Sequence, residues 1–430
     1  MDTFRFVHAA DLHLDTPFTG LGEVAPRIAT VLREASLVAF DRLVDLVLDR
    51  QAAFLLLAGD TYDGPSRGLR AQFRLHRGLT RLAEAGVATL MVHGNHDPVE
   101  EGWSAIERWP TAVTVFDAAE VGSVEVRREG RLLATVHGIS YAHRVTRENL
   151  ARRFRRPETT GVHIGLLHAT VGDPPGHSRY APASVDDLRA AGMDYWALGH
   201  VHRRQVLSRS PWVVYPGNLQ GRSPKPSERD AKGAVVVEVR DRVIAEPEFV
   251  PCDLVRFVDL SLDVGELAGA DLGSIVAGLQ SAADEESRTA DGRGLVVRAR
   301  LVGRGSAHET LRRPGVIESL LRVLRDARTL PQRVDDPFIW WERLQDVTAP
   351  SWDRDTLSHR GDLVGRIITE TDRVRSGQSS GSGVLDPLLG RLRAVLGSDM
   401  VDAVAASLDE EELWHQAERI AVEALLDAEQ

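Results

Sequence analysis

Cysteine is nearly absent: Cys252 is the only one in 430 residues. That excludes an intramolecular disulfide and any zinc site built on several thiolates. Lysine is scarce too, with Lys225 and Lys232 alone in one loop and arginine supplying the remaining basic residues. The bias is read as genomic composition, and arginine abundance by itself signals no phosphate binding. Positive charge is short overall. A formal net charge of −11 excludes a surface coated in basic residues for nonspecific nucleic-acid binding, though not a local cationic groove. Long apolar runs are also missing. The longest aliphatic stretch near the start, Phe54 to Ala58, is far too short to span a bilayer. Met1-Asp2-Thr3 opens the chain without the basic and apolar regions of a secretory signal. These absences point to a protein of the reducing cytoplasm with no membrane association. No internal repeat of fixed period is visible.

What is present is a rhythm of short apolar strands, each running into a loop rich in Asp, His, Asn and Gly. Phe4 to Ala9 reads as a strand and stops at Asp11-Leu12-His13. Ala25 to about Arg50 carries apolar residues at helical spacing, from Ile28 and Val31 to Leu46 and Val47. Phe54 to Ala58 runs into Gly59-Asp60, a second helical pattern covers Leu69 to Ala85, and Val87 to Val92 runs into Gly94-Asn95-His96-Asp97. Val162 to Leu167 ends at His168, and Tyr195 to Leu198 ends at Gly199-His200-Val201-His202. Strand, polar loop, helix, strand is α/β patterning, in which ligands gather at the carboxyl ends of strands. Hairpin-like stretches at Val121 to Ile139 and Ala234 to Val250 favour a four-layer αββα sandwich over a simple doubly wound sheet.

Past Pro251 the pattern becomes β-α-β-α-β, over Leu254–Leu262, Leu272–Ala283, Leu295–Val302, Val316–Ala327 and Phe338–Leu344. Ser376 to Gly383, SGQSSGSG, is a flexible linker by composition. Beyond it, Leu388, Leu389, Leu392, Val395 and Leu396 form one helical stripe, and Leu413, Ala417, Ile420, Ala424 and Leu425 a second. The expected organisation is a main α/β domain over 1–250, a small α+β cap over 251–345, a connecting segment over 346–383, and C-terminal helices over 384–430.

The strand ends carry the chemistry. Asp11 and His13, two residues apart, can lean to one side of an extended strand end and grip one cation. Gly59 lets the chain approach a ligand closely at Asp60. Asn95 offers a neutral carbonyl oxygen, and His168, His200 and His202 offer imidazoles. The set mixes oxygen and nitrogen without sulfur, which suits Mn, Fe or Zn over Ca. Each fragment alone is commonplace in turns and strand ends; the information lies in the order Asp-x-His, Gly-Asp-x-x-Asp, Gly-Asn-His-Asp, His, Gly-His-x-His.

In that order, residues 4 to about 220 resemble the calcineurin-like metallophosphoesterase superfamily. The resemblance implies that Asp11, His13, Asp60 and His202 hold one metal, and that Asp60 bridges to a second completed by Asn95, His168 and His200. It implies that His96 is the catalytic histidine, a proton donor or transition-state stabiliser rather than a ligand. Two divalent cations bring four positive charges and the two aspartates return two. About two excess charges therefore remain for a phosphodiester anion and the hydroxide that bridges the metals and attacks phosphorus. Two divalent ions, Mn2+ first with Fe2+, Zn2+ or Mg2+ as alternatives, are the expected cofactors.

The opening Phe6 to Asp15, FVHAADLHLD, is similar to that of the SbcD-type DNA repair nucleases. Tyr215-Pro216-Gly217-Asn218-Leu219-Gln220-Gly221-Arg222 is similar to that family's loop near the site, and the β-α-β-α-β module falls where those nucleases carry a DNA-capping domain. The resemblance extends to the bacterial YhaO-like branch. It implies a DNA exonuclease/endonuclease, DNA as substrate, a homodimer, and an SbcC-like coiled-coil ATPase as partner docked by the C-terminal helices. A small-molecule phosphodiesterase or phosphatase of the same superfamily is the alternative, and a noncatalytic scaffold the third reading. Archaeal and eukaryotic relatives carry a histidine where this chain has Asp63, which is expected to make turn hydrogen bonds. Arg203, Arg222 and Lys225 are the candidate substrate contacts. Their loop either holds a DNA backbone or pairs with Glu228 and Asp230 as a solvated surface. Trp340 and Trp341 are expected to divide into one core and one interface residue.

Overall fold

A computed structural model describes residues 3–16, 18, 25–64, 68–101, 103–172, 180–267, 271–349, 351, 353–376 and 410–428. The expected linker beyond Ser376 and the stripe at Leu388 to Leu396 lie outside them. One compact unit comprises residues 1–303 and 310–347, and a second comprises 304–309 and 348–430.

The first unit contains two sheets face to face. The seven-stranded sheet joins β1 (Thr3–Ala9), β2 (Phe54–Ala58), β3 (Ala88–Val92) and β4 (Val113–Val115) with β11 (Gly233–Arg240), β12 (Val243–Ile244) and β13 (Glu248–Pro251). The six-stranded sheet joins β5 (Gly122–Arg128), β6 (Arg131–Ile139), β7 (Val162–His168), β8 (Tyr195–Gly199), β9 (Gln205–Arg209) and β10 (Trp212–Tyr215). Period-two alternation sorts the side chains. Val7, Ala9, Leu55 and Leu57 face helices α1 (Pro26–Asp49) and α2 (Leu69–Glu84), while Phe6, Phe54, Leu56 and Ala58 meet Ile164, Leu166 and Tyr195 of the opposite sheet. The other face of the second sheet is covered by α3 (Val185–Ala190) and a 3-10 turn over Leu150–Arg153, around Phe154 and Trp196. Strands buried on both faces read as continuous apolar runs. The four-layer αββα sandwich is the observed architecture.

Downstream, β14 (Val255–Asp263), α4 (Leu272–Thr289), β15 (Gly294–Val302), the short α5 (Ala307–Leu311), α6 (Val316–Asp326) and β16 (Ile339–Asp346) follow in order. The three strands are parallel, in the order β14-β15-β16. Helix α1 serves two cores. Its first half, through Ile28, Val31, Leu32 and Ala35, packs on Val255, Phe257, Val296, Phe338 and Trp340, while Phe40, Leu43 and Val47 pack on the first sheet. Trp340 and Trp341 are both buried; Trp340 packs against α1, where the small sheet meets that helix, and the Arg325 guanidinium of α6 lies over its ring.

In the second unit, α7 (Arg354–Ser358), α8 (Leu363–Arg375) and α9 (Glu410–Ala428) pack around Leu357, Val364, Ile368 and Val422. Arg354 pairs with both Glu418 and Asp372. The sequence stripe on α9 is displaced. Val422 is fully buried and Leu425 partly so, whereas Ile420 is 62% exposed and Ala417 and Ala424 face solvent. A buried Glu418 with an arginine partner had no apolar signature, so the stripe was drawn around its neighbours. No helix among the described residues is long and apolar enough to cross a membrane.

Candidate metal centre

The polar groups converge where β1, β2, β3, β7 and β8 end. Asp11, His13 and Asp60 all take positive φ, at 51°, 42° and 49°, and His200 lies at 103°. Such backbone is costly for residues with a Cβ and persists where surrounding structure enforces it. Here Asp11 N donates to Gly59 O and His13 N to Asp60 O, lacing the two loops together. A Cβ on Gly94 would overlap Asp60 Oδ1 and stand 2.9 Å from His168 Cδ2, so only glycine permits this approach.

Two groups result. Asp11, His13 and His202 form one, and Asp60, His168 and His200 the other, with the ligating atoms of each group within 4.8 Å of one another. His13 Nε2 lies 3.2 Å from His202 Nε2. Asp60 Oδ2 lies 3.9 Å from His13 Nε2 and 3.4 Å from His168 Nε2, between the groups. Asn95 Oδ1 is 3.0 Å from His168 Nε2 and 3.2 Å from His200 Nδ1. All seven residues expected at the metals are therefore in one place.

The tautomers make the donor set informative. His168 Nδ1 donates to Ala58 O at 2.9 Å, which leaves Nε2 as the nitrogen aimed at two oxygens. His202 Nδ1 lies 2.6 Å from Glu228 Oε1, so its Nε2 likewise turns into the centre. In the metal-free protein a proton on His168 Nε2 satisfies the facing oxygens, and imidazole nitrogens and carboxylate and amide oxygens converging in this way are the groups a divalent cation accepts when it displaces that proton. The titration directions describe the same attraction acting on a proton. Burial opposes charge on His168, but Asp60 overcomes it and pushes the imidazole up to about 9. Asp60 is drawn down despite its burial, chiefly by His168. Burial raises Asp11 to about 6, and burial followed by Arg222 lowers His13 to about 4. The donor set fits divalent cations.

His96 stands at the rim with its side chain 31% exposed, its backbone N–H donated to Asp60 Oδ1 at 2.8 Å. Its Nδ1 is 2.6 Å from Asp63 Oδ1. Asp63 also reaches His13 Nδ1 at 3.5 Å and accepts from Arg222 Nη1 at 3.1 Å. It is an orienting carboxylate rather than the turn residue expected from sequence. Asp97 accepts from Gly94 N and Thr61 N, tying the His96 loop to the Asp60 loop.

Glu228 was missed. Besides His202 it accepts from Asn218 Nδ2 at 2.8 Å and Arg222 N at 3.1 Å, so it shapes the centre instead of neutralising surface cations. Lys232 is internal, donating to His202 O and Ser227 O, and Arg229 pairs with Asp259. Among the candidate substrate contacts, Arg222 is beside His13 and Asp63, while Arg203 and Lys225 are exposed. Gln220, fully enclosed, donates to Val255 O and accepts from Leu254 N, joining the Asn218 loop to the first strand of the small sheet.

Residues 4–204 match the calcineurin-like phosphoesterase family, and residues 257–349 match the middle domain of the metallophosphoesterase YhaO. The uncharacterized metallophosphoesterase YhaO of Bacillus subtilis is 36% identical over 86% of this chain and 87% of its own length. The DNA double-strand break repair protein Mre11 of Methanopyrus kandleri is 28% identical over 62% of this chain and 60% of its own. A component of the nuclease SbcCD of Bacillus subtilis is 25% identical over 48% of this chain and 59% of its own. With its motifs gathered at the strand ends and a YhaO-like relative along most of its length, the chain belongs to the calcineurin-like metallophosphoesterases, whose chemistry is metal-dependent phosphoester hydrolysis.

Proposed function

We propose that the chain is a two-cation DNA nuclease of the SbcD type, hydrolysing phosphodiester bonds in DNA repair. The observation that carries the two-cation part is His168: its Nδ1 is committed to Ala58 O, and its Nε2 faces Asn95 Oδ1 and Asp60 Oδ2. Asp11, His13, Asp60 and His202 would hold one cation, and Asp60, Asn95, His168 and His200 the other. When bound, the cations would polarise the phosphoryl group and acidify the attacking water. Mn2+ is the proposed ion.

His96 supplies the proton. With Nδ1 held by Asp63, Nε2 is the nitrogen left to protonate the departing 3′ oxygen, a poor leaving group as an alkoxide. Asp63 fixes the ring's rotation, and Arg222 in turn fixes Asp63. DNA as the substrate draws on the Mre11 and SbcCD relatives, on the small domain keyed by Gln220 to the loop beside the centre, and on exposed Arg203 and Lys225. An SbcC-like coiled-coil ATPase is the proposed partner, and a homodimer the proposed assembly.

Incubating the purified full chain with Mn2+ and linear duplex DNA, in parallel with bis-p-nitrophenyl phosphate, tests this reading. Degradation of the duplex is expected. Cleavage of the small diester with intact DNA would replace the nuclease reading by a small-molecule phosphodiesterase.

A further inference from the structure

Tyrosines packed among the sheets normally find a partner for the hydroxyl, because an unpaired buried polar group forfeits its hydration. Tyr195 OH lies 3.1 Å from His8 Nδ1. Tyr215 OH donates to Ala169 O at 2.7 Å and accepts from Val171 N at 2.9 Å. Tyr141 is different. Its side chain is fully buried, yet among the described residues its hydroxyl has no hydrogen-bond partner.

The position of Tyr141 is not incidental. Its N–H donates to His93 O at 3.1 Å and its carbonyl accepts from Val99 N at 2.9 Å, so its backbone staples both ends of the loop that carries Asn95, His96 and Asp97. Its ring meets the His168 ring edge-on, with centroids 5.5 Å apart and planes at 87°. A buried hydroxyl on a ring packed against His168, with its backbone fixing the Asn95 loop, is a donor in place for an acceptor that the loaded centre would bring.

We propose that Tyr141 is a positioning residue whose hydroxyl donates to an oxygen ligand, a water or a phosphoryl oxygen, that enters on the His168 side when the cations are in place. The proposal rests on the two-cation reading of the same site and adds a recognition group to it. It assigns the orphaned hydroxyl to the loaded centre, and outer hydrogen bonds of this kind hold an inner ligand in place.

The test compares wild type, Tyr141→Phe and Tyr215→Phe without assaying hydrolysis. In metal-free protein, Tyr141→Phe is expected to melt at or above the wild-type temperature, since it removes an unpaired hydroxyl, whereas Tyr215→Phe breaks two hydrogen bonds and melts lower. Calorimetric titration with Mn2+ alone is expected to show affinity reduced about 10-fold in Tyr141→Phe if the acceptor is a water. If the acceptor is a phosphoryl oxygen, Mn2+ affinity holds and titration of the Mn2+-loaded protein with inorganic phosphate shows the loss. Unchanged affinity in both arms, or a melting loss in Tyr141→Phe matching that of Tyr215→Phe, overturns the proposal. Wild-type protein that binds no Mn2+ overturns the two-cation reading itself and the proposal with it, while failure to cleave DNA touches neither titration.

Discussion

Asp63 Oδ1 lies 2.6 Å from Nδ1 of His96, and the same carboxylate accepts from Arg222. A charged acceptor at that distance fixes which imidazole nitrogen is free to give a proton. Asp63→Asn is expected to lower kcat about 100-fold, within the range of general acid catalysis, with little change in KM. Combining it with His96→Ala should cost no more than His96→Ala alone, because both remove one function. Additive losses in steady-state kinetics would separate the two residues.

Glu228 holds His202 through one oxygen and Asn218 and Arg222 through the other. Glu228→Gln sets an NH2 group against one of these donors and removes the charge that makes His202 a stronger ligand. A fall in Mn2+ affinity of about 10-fold is expected, read by titration of the full chain. Equal affinity would make Glu228 a loop residue only.

Gly94 gives a steric test that leaves every ligand in place. Because a Cβ there overlaps Oδ1 of Asp60 and so displaces the carboxylate whose Oδ2 lies between the two groups, Gly94→Ala is expected to weaken Mn2+ binding at both positions. Circular dichroism should still show the wild-type mixture of strand and helix. Loss of one ion with full retention of the other would mean that Asp60 is not shared.

His137 lies far from this chemistry and sets an acid limit on stability. Burial lowers it to about 4, helped by His163, whose Nδ1 is 3.0 Å from His137 Nε2. An unfolded histidine titrates near 6.5, so the unfolded chain binds the extra proton between those values and stability falls as pH drops from about 6.5 to about 4. One such group contributes a slope of about 1.4 kcal/mol per pH unit. His137→Gln should flatten the acid side of a pH series of chemical denaturation by about that amount. His8, lowered to about 3 by burial, keeps part of the slope in the variant.

The ligands were legible because each stands at the end of an apolar run, where period and motif coincide: Phe54 to Ala58 into Gly59-Asp60, Val162 to Leu167 into His168. Their mutual arrangement needed only the rule that strand ends collect ligands. The groups that aim them were not legible. Asp63 meets His96 across 33 residues, and Glu228 meets His202 across 26, through loops whose course no periodicity encodes. Glu228 looked like a surface partner for Lys225 and Arg229 because charge was visible and burial was not. The second core on α1, built from Ile28 and Val31, uses the same helical stripe as the first, so periodicity alone does not separate the two. On α9 the packed face turns on Glu418, whose charge hides it from an apolar pattern.

Equilibrium dialysis of the full chain against Mn2+, with Asp60→Asn in parallel, tests the central claim most directly. The shared position of Asp60 predicts two ions per wild-type chain and weakened binding of both in the variant. One ion or none in the wild type, or two tightly held in the variant, would contradict it.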